Sequence, residues 1–175
     1  MHALDAEDRL AALRATGLLD TPSEQIFDDL TALIAHLLRV PVALISFIDD
    51  RRQFLKSAVG LGEPYATSRE VPLTHSWCQY AITRGGTLVV TDARRHELLS
   101  SSPSIQEFGV VAYAGVPLIA HGQPIGVACA VDIDVRDWTE AEMRALERLA
   151  AIATREIERR EMVERLAAVT DALRD

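Results

Sequence analysis

The chain has 175 residues, of which 49% are apolar and 25% charged, enough for one domain with a sizeable core and wrong for a fibrous, collagen-like or wholly disordered chain. Lys and Arg number 18 against 26 Asp and Glu, a net charge of −8, which argues against nucleic acid or an anionic membrane as the main partner because both demand a basic face. No run approaches the roughly 20 apolar residues of a membrane span, and Met1 to Asp8 shows no signal-peptide pattern, so a cytoplasmic chain is expected.

A first helix is predicted from about Ala6 to Thr16, with Leu10 and Leu13 on one face and Gly17 as its left-handed cap. Thr21, Pro22 and Glu24 read as a capping box that opens a second helix running to about Leu38. Ile26, Phe27, Leu30, Leu33, Ile34 and Leu37 form its apolar stripe, and Pro41 lies beyond its end. The period then changes. Val42 to Ile48 and Gln53 to Val59 read as a β-hairpin across the polar turn Asp49 to Arg52. Gly60 to Pro72 is too irregular for an element and long enough for a functional loop.

Thr74 to Arg84 is predicted helical, ended by Gly85, and Thr87 to Val90 is a short strand. Ser100 to Phe108 is a second loop with one helical turn, closed by Gly109. Val110 to Ile119 and Gln123 to Asp132 are strands joined by the tight His121-Gly122 connection. In the last of these, Ile125, Val127, Cys129 and Val131 are expected on one face; Gly126, Ala128 and Ala130 on the other leave room for a packed layer. Thr139 and Glu142 form a capping box, with Trp138 stapled onto Met143, and the helix they open meets no stop signal. Neighbouring strands with short turns predict an antiparallel sheet covered by helices, an α+β domain.

Beyond Arg160 the apolar residues narrow to Met162, Leu166, Val169 and Leu173, the a/d spacing of a coiled coil. Residues 1–160 are therefore expected to form the domain and 161–175 a coiled-coil extension that pairs with a second copy in a parallel homodimer. A helix folded back on the domain is the alternative.

Two cysteines, Cys78 and Cys129, are too few for a disulfide framework or a four-cysteine zinc site. Their ordinary reading is as small buried apolar residues. His75, three residues before Cys78, would share a helix face with it and, with Cys129 or Asp132, offer zinc or iron a partial ligand set; the plainer reading is a cap or pocket-edge histidine. Asp49 and Asp50 read as solvated turn residues. No Gly-rich phosphate loop, nucleophile elbow or metalloprotease helix is present in the sequence. Trp77, Tyr80, Phe108 and Tyr113 would give a flat ligand a large contact area, or else pack in the core.

Arg9 to Leu13 with Gly17 to Pro22, Pro41 to Asp49, Phe54 to Ser57, His75 to Ile82, Leu88 to Ala93, Tyr113 to Leu118 and Gly126 to Asp132, in that order and spacing, resemble the GAF family, PAS-related small-molecule sensor modules of bacterial signalling proteins. The resemblance spans about Arg9 to Arg160. It implies a six-stranded antiparallel sheet with the N- and C-terminal helices on one face and, on the other, a ligand pocket roofed by the two loops and the Thr74 to Arg84 helix. The residues it places in that pocket are Ser46, Phe54, Trp77, Cys78, Tyr113, Gly115 and Cys129. It implies a non-enzymatic sensor beside a kinase, cyclase or phosphatase output domain, and it names no ligand, cofactor or metal. Two further chemistries in similar proteins bear on the cysteines. A bilin is attached through a cysteine followed by histidine, where Cys78 is followed by Gln79; free methionine sulfoxide reductases use reactive cysteines at a spacing that Cys78 and Cys129 do not match. The alternatives to a sensor are a ligand-free dimerisation and relay module, or a cysteine-based reductase.

Overall fold

The computed structural model describes residues 4–174; Met1 to Ala3 and Asp175, the last residue of the expected extension, lie outside them. Helix α1, Glu7–Ala15, closes at Gly17, whose φ of 63° is the left-handed conformation its sequence position predicts. Arg9 on this helix is fully buried and donates to the carbonyl of Ile48 at 2.6 Å and to that of Leu4, fastening α1 to the sheet. Helix α2 runs Gln25–Leu38.

Its predicted capping box does not form. The cap residue is Glu24, with no side chain accepting from the first turn. Thr21 donates instead to the Leu18 carbonyl, and the Glu24 carboxylate pairs with Lys56 and Arg160. A cap bond is worth about 1 kcal/mol, less than leaving a buried ammonium without an anion. The predicted stripe also splits: Phe27, Leu30 and Ile34 are buried, while Ile26, Leu33 and Leu37 are exposed.

Strands β1, Val42–Ile48, and β2, Arg52–Val59, form the expected hairpin. Its turn is closed by Asp49, whose carboxylate accepts the N–H groups of Arg51 and Arg52, each at 2.8 Å. The segment expected to be irregular contains a helical turn, α3 (Tyr65–Ser68), and an edge strand, β3 (Glu70–Pro72), paired antiparallel with β2. Three residues ending in proline carry no readable period. A 3₁₀ turn at Leu73–His75 and a separate helix α4, Cys78–Arg84, replace the single helix predicted there. Next come β4 (Leu88–Val90), α5 (Pro103–Phe108), β5 (Ala112–Ala120) and β6 (Gln123–Asp132). His121 and Gly122, between the last two, have φ of 51° and 72°, the pair of positive angles a two-residue hairpin turn requires. Helix α6, Glu140–Ala172, starts with the predicted Thr139/Glu142 capping box fully made.

The six strands pair antiparallel in the order β3-β2-β1-β6-β5-β4, so this is an α+β fold. Helices α1, α2 and α6 cover one face, where Ala128 and Ala130 let them approach closely. The other face, with Leu44, Val127, Cys129 and Val131, is covered by α4 and the loops around it. Ile125, expected beside Val127, lies in the helix-side core. A bulge opposite Leu118 and Ile119 shifts the register there, and one extra residue reverses which face each side chain meets. Buried α6 residues end at Ile157. Met162, Leu166, Val169 and Leu173 beyond it are exposed in the single chain. Among the described residues no helix is long and apolar enough to cross a membrane.

Candidate functional site

A cavity of about 240 Å³ lies between the second face of the sheet and the segments that cover it. Its base comes from the sheet: Val42 and Leu44 on β1, Gln53 on β2, Tyr113 on β5, Cys129 and Val131 on β6. Leu61, Tyr65, Trp77, Phe108 and Val110 close it from above, and His75, Ser76 and Ser104 add polar groups at the wall. The walls are mostly apolar, so the site favours a ligand that brings apolar surface and a few hydrogen-bonding groups.

Aromatic contacts and hydrogen bonds hold the roof. Tyr65 meets Phe108 edge-on with ring centroids 5.3 Å apart, and Trp77 meets Tyr113 in the same manner at 6.0 Å. The Trp77 indole donates to Ser102 at 2.7 Å, and the Ser104 hydroxyl donates to the His75 carbonyl at 2.7 Å. The His75 ring in turn meets Glu107 at 3.0 Å. These bonds tie α5 to the 3₁₀ turn and leave His75 on the pocket edge. Among the described residues no group of three or more His, Cys, Asp or Glu is placed to hold a metal ion.

The floor carries a buried polar network. Gln53 Nε2 donates to Ser46 Oγ at 3.0 Å and to Cys78 Sγ at 3.4 Å, and the Ser76 hydroxyl donates to Gln53 Oε1. The Tyr113 hydroxyl donates to Cys78 Sγ at 3.2 Å, and the Cys78 and Cys129 sulfurs stand 3.7 Å apart. The hydrogen bond with Cys129, joined by those from Tyr113, Ser46 and Gln53, pulls the Cys78 thiol below its ordinary range against the opposing effect of burial. The same contact with Cys78, then burial, pushes Cys129 well up, and burial together with the nearby sulfurs pushes Tyr113 up. The two thiols titrate as a pair, and Cys78 is the sulfur on which the Tyr113 and Gln53 donors converge.

Of the seven residues named from the sequence, Trp77, Cys78, Tyr113 and Cys129 line the cavity. Ser46 lies under the floor, bonded to Gln53. Gly115 sits beneath the phenol ring: a Cβ there would stand 2.2 Å from the Tyr113 oxygen, so the missing side chain is what lets Tyr113 lie across toward Cys78. Phe54 is a correction. It belongs to the helix-side core, with the Arg69 guanidinium 5.0 Å from its ring centroid. It pairs with Phe47, which lies in the same core, on the turn side of the register shift between Ile45 and Ser46; the resemblance identifies its strand, and this pairing sets its face. Gln53, its neighbour, faces the cavity instead, and its pairing with Ile48 is the signal that would have found it. Tyr65 and Ser104 come from segments read as loops, and Ser76 lies between the 3₁₀ turn and α4 where one helix is predicted, so none gave such a signal.

A model of the GAF domain matches residues 22–157. A cyclic di-GMP phosphodiesterase of Pseudomonas aeruginosa is 31% identical over 151 residues, which are 85% of this chain and 25% of that protein; the chain spans about a quarter of its relative. Solved structures with similar folds include the GAF domain of an Acinetobacter phosphoenolpyruvate-protein phosphotransferase, at TM-score 0.66 and 21% identity over 90% of this chain and 97% of that one. The Thermosynechococcus elongatus PixJ GAF domain in its blue-light absorbing form gives TM-score 0.67 at 21% identity, covering 93% and 95%. A free methionine-R-sulfoxide reductase of Neisseria meningitidis, solved with its substrate, gives 0.61 at 22%, covering 95% and 99%. At such identities the structures speak for the fold alone.

Proposed function

Because this chain belongs to the GAF family of sensor modules in signalling proteins, we propose that it is a non-enzymatic sensor that binds a small molecule in the cavity above the sheet and passes the bound state to α6 within a homodimer. The observation that carries this reading is the cavity itself: about 240 Å³ of mostly apolar space with Gln53, Ser76 and Ser104 at its wall. The volume lies below the roughly 300–1,000 Å³ usual for ligand sites, which favours a compact single-ring molecule over a dinucleotide. Trp77, Cys78, Tyr113 and Cys129 would contact it directly, with Ser46 and Gly115 supporting them from below.

The dimer is supported by two sets of exposed apolar side chains, Ile26, Leu33 and Leu37 on α2 and Met162, Leu166, Val169 and Leu173 on α6. An isolated helix with such a seam gains by pairing. The relationship to a cyclic di-GMP phosphodiesterase supports an output enzyme of cyclic-dinucleotide turnover, beside the kinase, cyclase and phosphatase classes expected from the sequence.

A thermal-shift screen with aromatic metabolites, amino acids and mononucleotides tests the sensor reading. A ligand at about 100 times its dissociation constant stabilises by about 2.7 kcal/mol, several degrees for a domain of this length. The shift should vanish in Val110→Trp, which fills the cavity from its rim. If no compound shifts the wild type, or if the variant shifts equally, the reading fails. The thiol pair, 3.7 Å apart, favours the reductase as a second reading. Turnover of free methionine sulfoxide with a thiol reductant, lost in Cys78→Ser, would establish it; no turnover is expected.

A further inference from the structure

We propose that Cys78 and Cys129 form a peroxide-responsive dithiol, oxidised inside the cavity to a disulfide that staples α4 to β6. This goes beyond ligand sensing and does not depend on it. Both sulfurs line the same cavity, and they stand 3.7 Å apart. Closing to the roughly 2.05 Å of a disulfide asks for a side-chain movement rather than a refolding.

The surroundings of Cys78 distinguish it from a cysteine that merely fills space. A buried apolar cysteine needs no donors, yet the Tyr113 hydroxyl and the Gln53 amide both point at this sulfur, at 3.2 and 3.4 Å. Donors aimed at sulfur stabilise a thiolate, and the thiolate is the form that attacks an oxidant. Gln53 is itself fixed by Ser76, and Tyr113 by the space over Gly115. The arrangement is therefore a nucleophile, the donors that hold its charge, and a second thiol within reach.

The oxidant is a hydroperoxide small enough to enter the cavity. The Cys78 thiolate attacks its distal oxygen, the O–O bond breaks, and an alkoxide or hydroxide leaves and takes up a proton as alcohol or water. Cys78 is then a sulfenic acid. The Cys129 sulfur attacks the Cys78 sulfur, an S–S bond forms as the S–O bond breaks, and the hydroxyl leaves with the Cys129 proton as water. Two thiols have been oxidised and one peroxide reduced; two equivalents of an external thiol reverse the change. In the oxidised state α4, which begins at Cys78, is bonded to the middle of a central strand. The roof is then fixed to the sheet, and the Cys78 sulfur is drawn toward Cys129 and away from its donors Tyr113 and Gln53.

The test uses the reduced full chain, treated with hydrogen peroxide, alkylated under denaturing conditions and mapped by mass spectrometry. Free thiols should fall from the two present to none, with a Cys78–Cys129 crosslinked peptide that dithiothreitol reverses. In Cys129→Ser, Cys78 should stop at the sulfenic acid and be captured by dimedone; in Cys78→Ser, Cys129 should stay unmodified; Tyr113→Phe should slow the wild-type reaction several-fold. Circular dichroism confirms that each variant is folded, and the wild-type crosslink is informative without them. Two alkylatable thiols remaining after peroxide treatment that oxidises free cysteine fully, or a crosslink that forms only between chains, would overturn the proposal.

Discussion

Lys56 lies on β2 with its side chain fully buried, and its ammonium is received by three groups from the linker between α1 and α2. Thr21 Oγ1 and the Pro22 carbonyl accept from it at 2.7 Å each, and the Glu24 carboxylate pairs with it; the Phe27 ring centroid lies 5.6 Å away. Glu24 also pairs with Arg160 on α6. Glu24→Ala therefore strands a buried cation. Breaking a buried pair from one side costs about 3–5 kcal/mol. The low end applies, near 3 kcal/mol, because Thr21 and Pro22 still accept and Glu24 is one-third exposed. Lys56→Met has the opposite logic: it removes the desolvated charge and leaves a partly solvated carboxylate that Arg160 still meets, so stability should hold or rise. The double variant should lose less than Glu24→Ala alone.

The pH dependence carries the same signature. Burial disfavours the Lys56 ammonium more than Glu24 favours it, so its folded pKa lies below the usual 10.5. Between that lowered value and 10.5 the unfolded chain holds more protons, and this group's contribution to stability rises with pH across that window. Glu24 works at the other end. Burial would raise its pKa, but hydrogen bonds from Lys56 and Arg160 outweigh it and hold the value below 4.5. Its contribution is present above 4.5 and is lost as pH falls through the lowered value. Urea unfolding of the single and double variants at several pH values is the assay. The reasoning is refuted if Glu24→Ala loses under about 1 kcal/mol, if Lys56→Met loses as much as Glu24→Ala, or if the alkaline rise survives in Lys56→Met.

Three further outcomes are expected. Gly115→Ala puts a Cβ 2.2 Å from the Tyr113 oxygen; the ring must move at a cost of about 1–3 kcal/mol, read by denaturant unfolding, and Cys78 loses its shortest donor, read as slower alkylation of the folded protein. Thr139→Ala removes the oxygen that accepts the Glu142 N–H at 3.2 Å and should cost about 1 kcal/mol, seen as a Tm lower by about 2–4 °C. A chain ending at Arg160 should be monomeric by light scattering where the intact chain is dimeric; a dimer of equal strength would assign association to α2 and not to the seam beyond Ile157.

Much of the architecture was legible because one-sided burial leaves a period. The two capping residues of α6, the paired positive angles of His121 and Gly122, and the small-residue face of β6 under the helices all follow from local rules. What failed were parity and competition. Period-2 reading is correct until one bulge intervenes, and the sheet has register shifts at Ile45/Ser46 and Leu118/Ile119. Ile125 lies beside the second of those shifts and meets the face opposite the one its alternation predicts, whereas Phe54, named from the family resemblance, takes the face of its partner Phe47. The capping box at Thr21 and Glu24 failed for a different reason: a helix start offers each of them one backbone N–H, whereas the buried ammonium of Lys56 draws on both.

The cavity floor shows why a site is harder to read than the sheet that carries it. Each of its residues has an unremarkable local explanation: Gln53 follows a turn, Cys78 and Cys129 pass as small apolar residues, Tyr113 as a strand aromatic. Their chemistry exists only where β2, α4, β5 and β6 converge, at sequence separations of 25 residues for Gln53 and Cys78, 35 for Tyr113 and Cys78, and 51 for the two cysteines. No window along the chain spans that set. Pairing rules recover part of it, since β5 and β6 lie side by side with Tyr113 opposite Val131 and Gly115 opposite Cys129. The position of Cys78 is set by tertiary packing, because α4 reaches the sheet through loops of no regular period. The polar network follows from that packing: once Cys78 is seated against β6, Gln53, Tyr113 and Cys129 are the groups left to meet its sulfur.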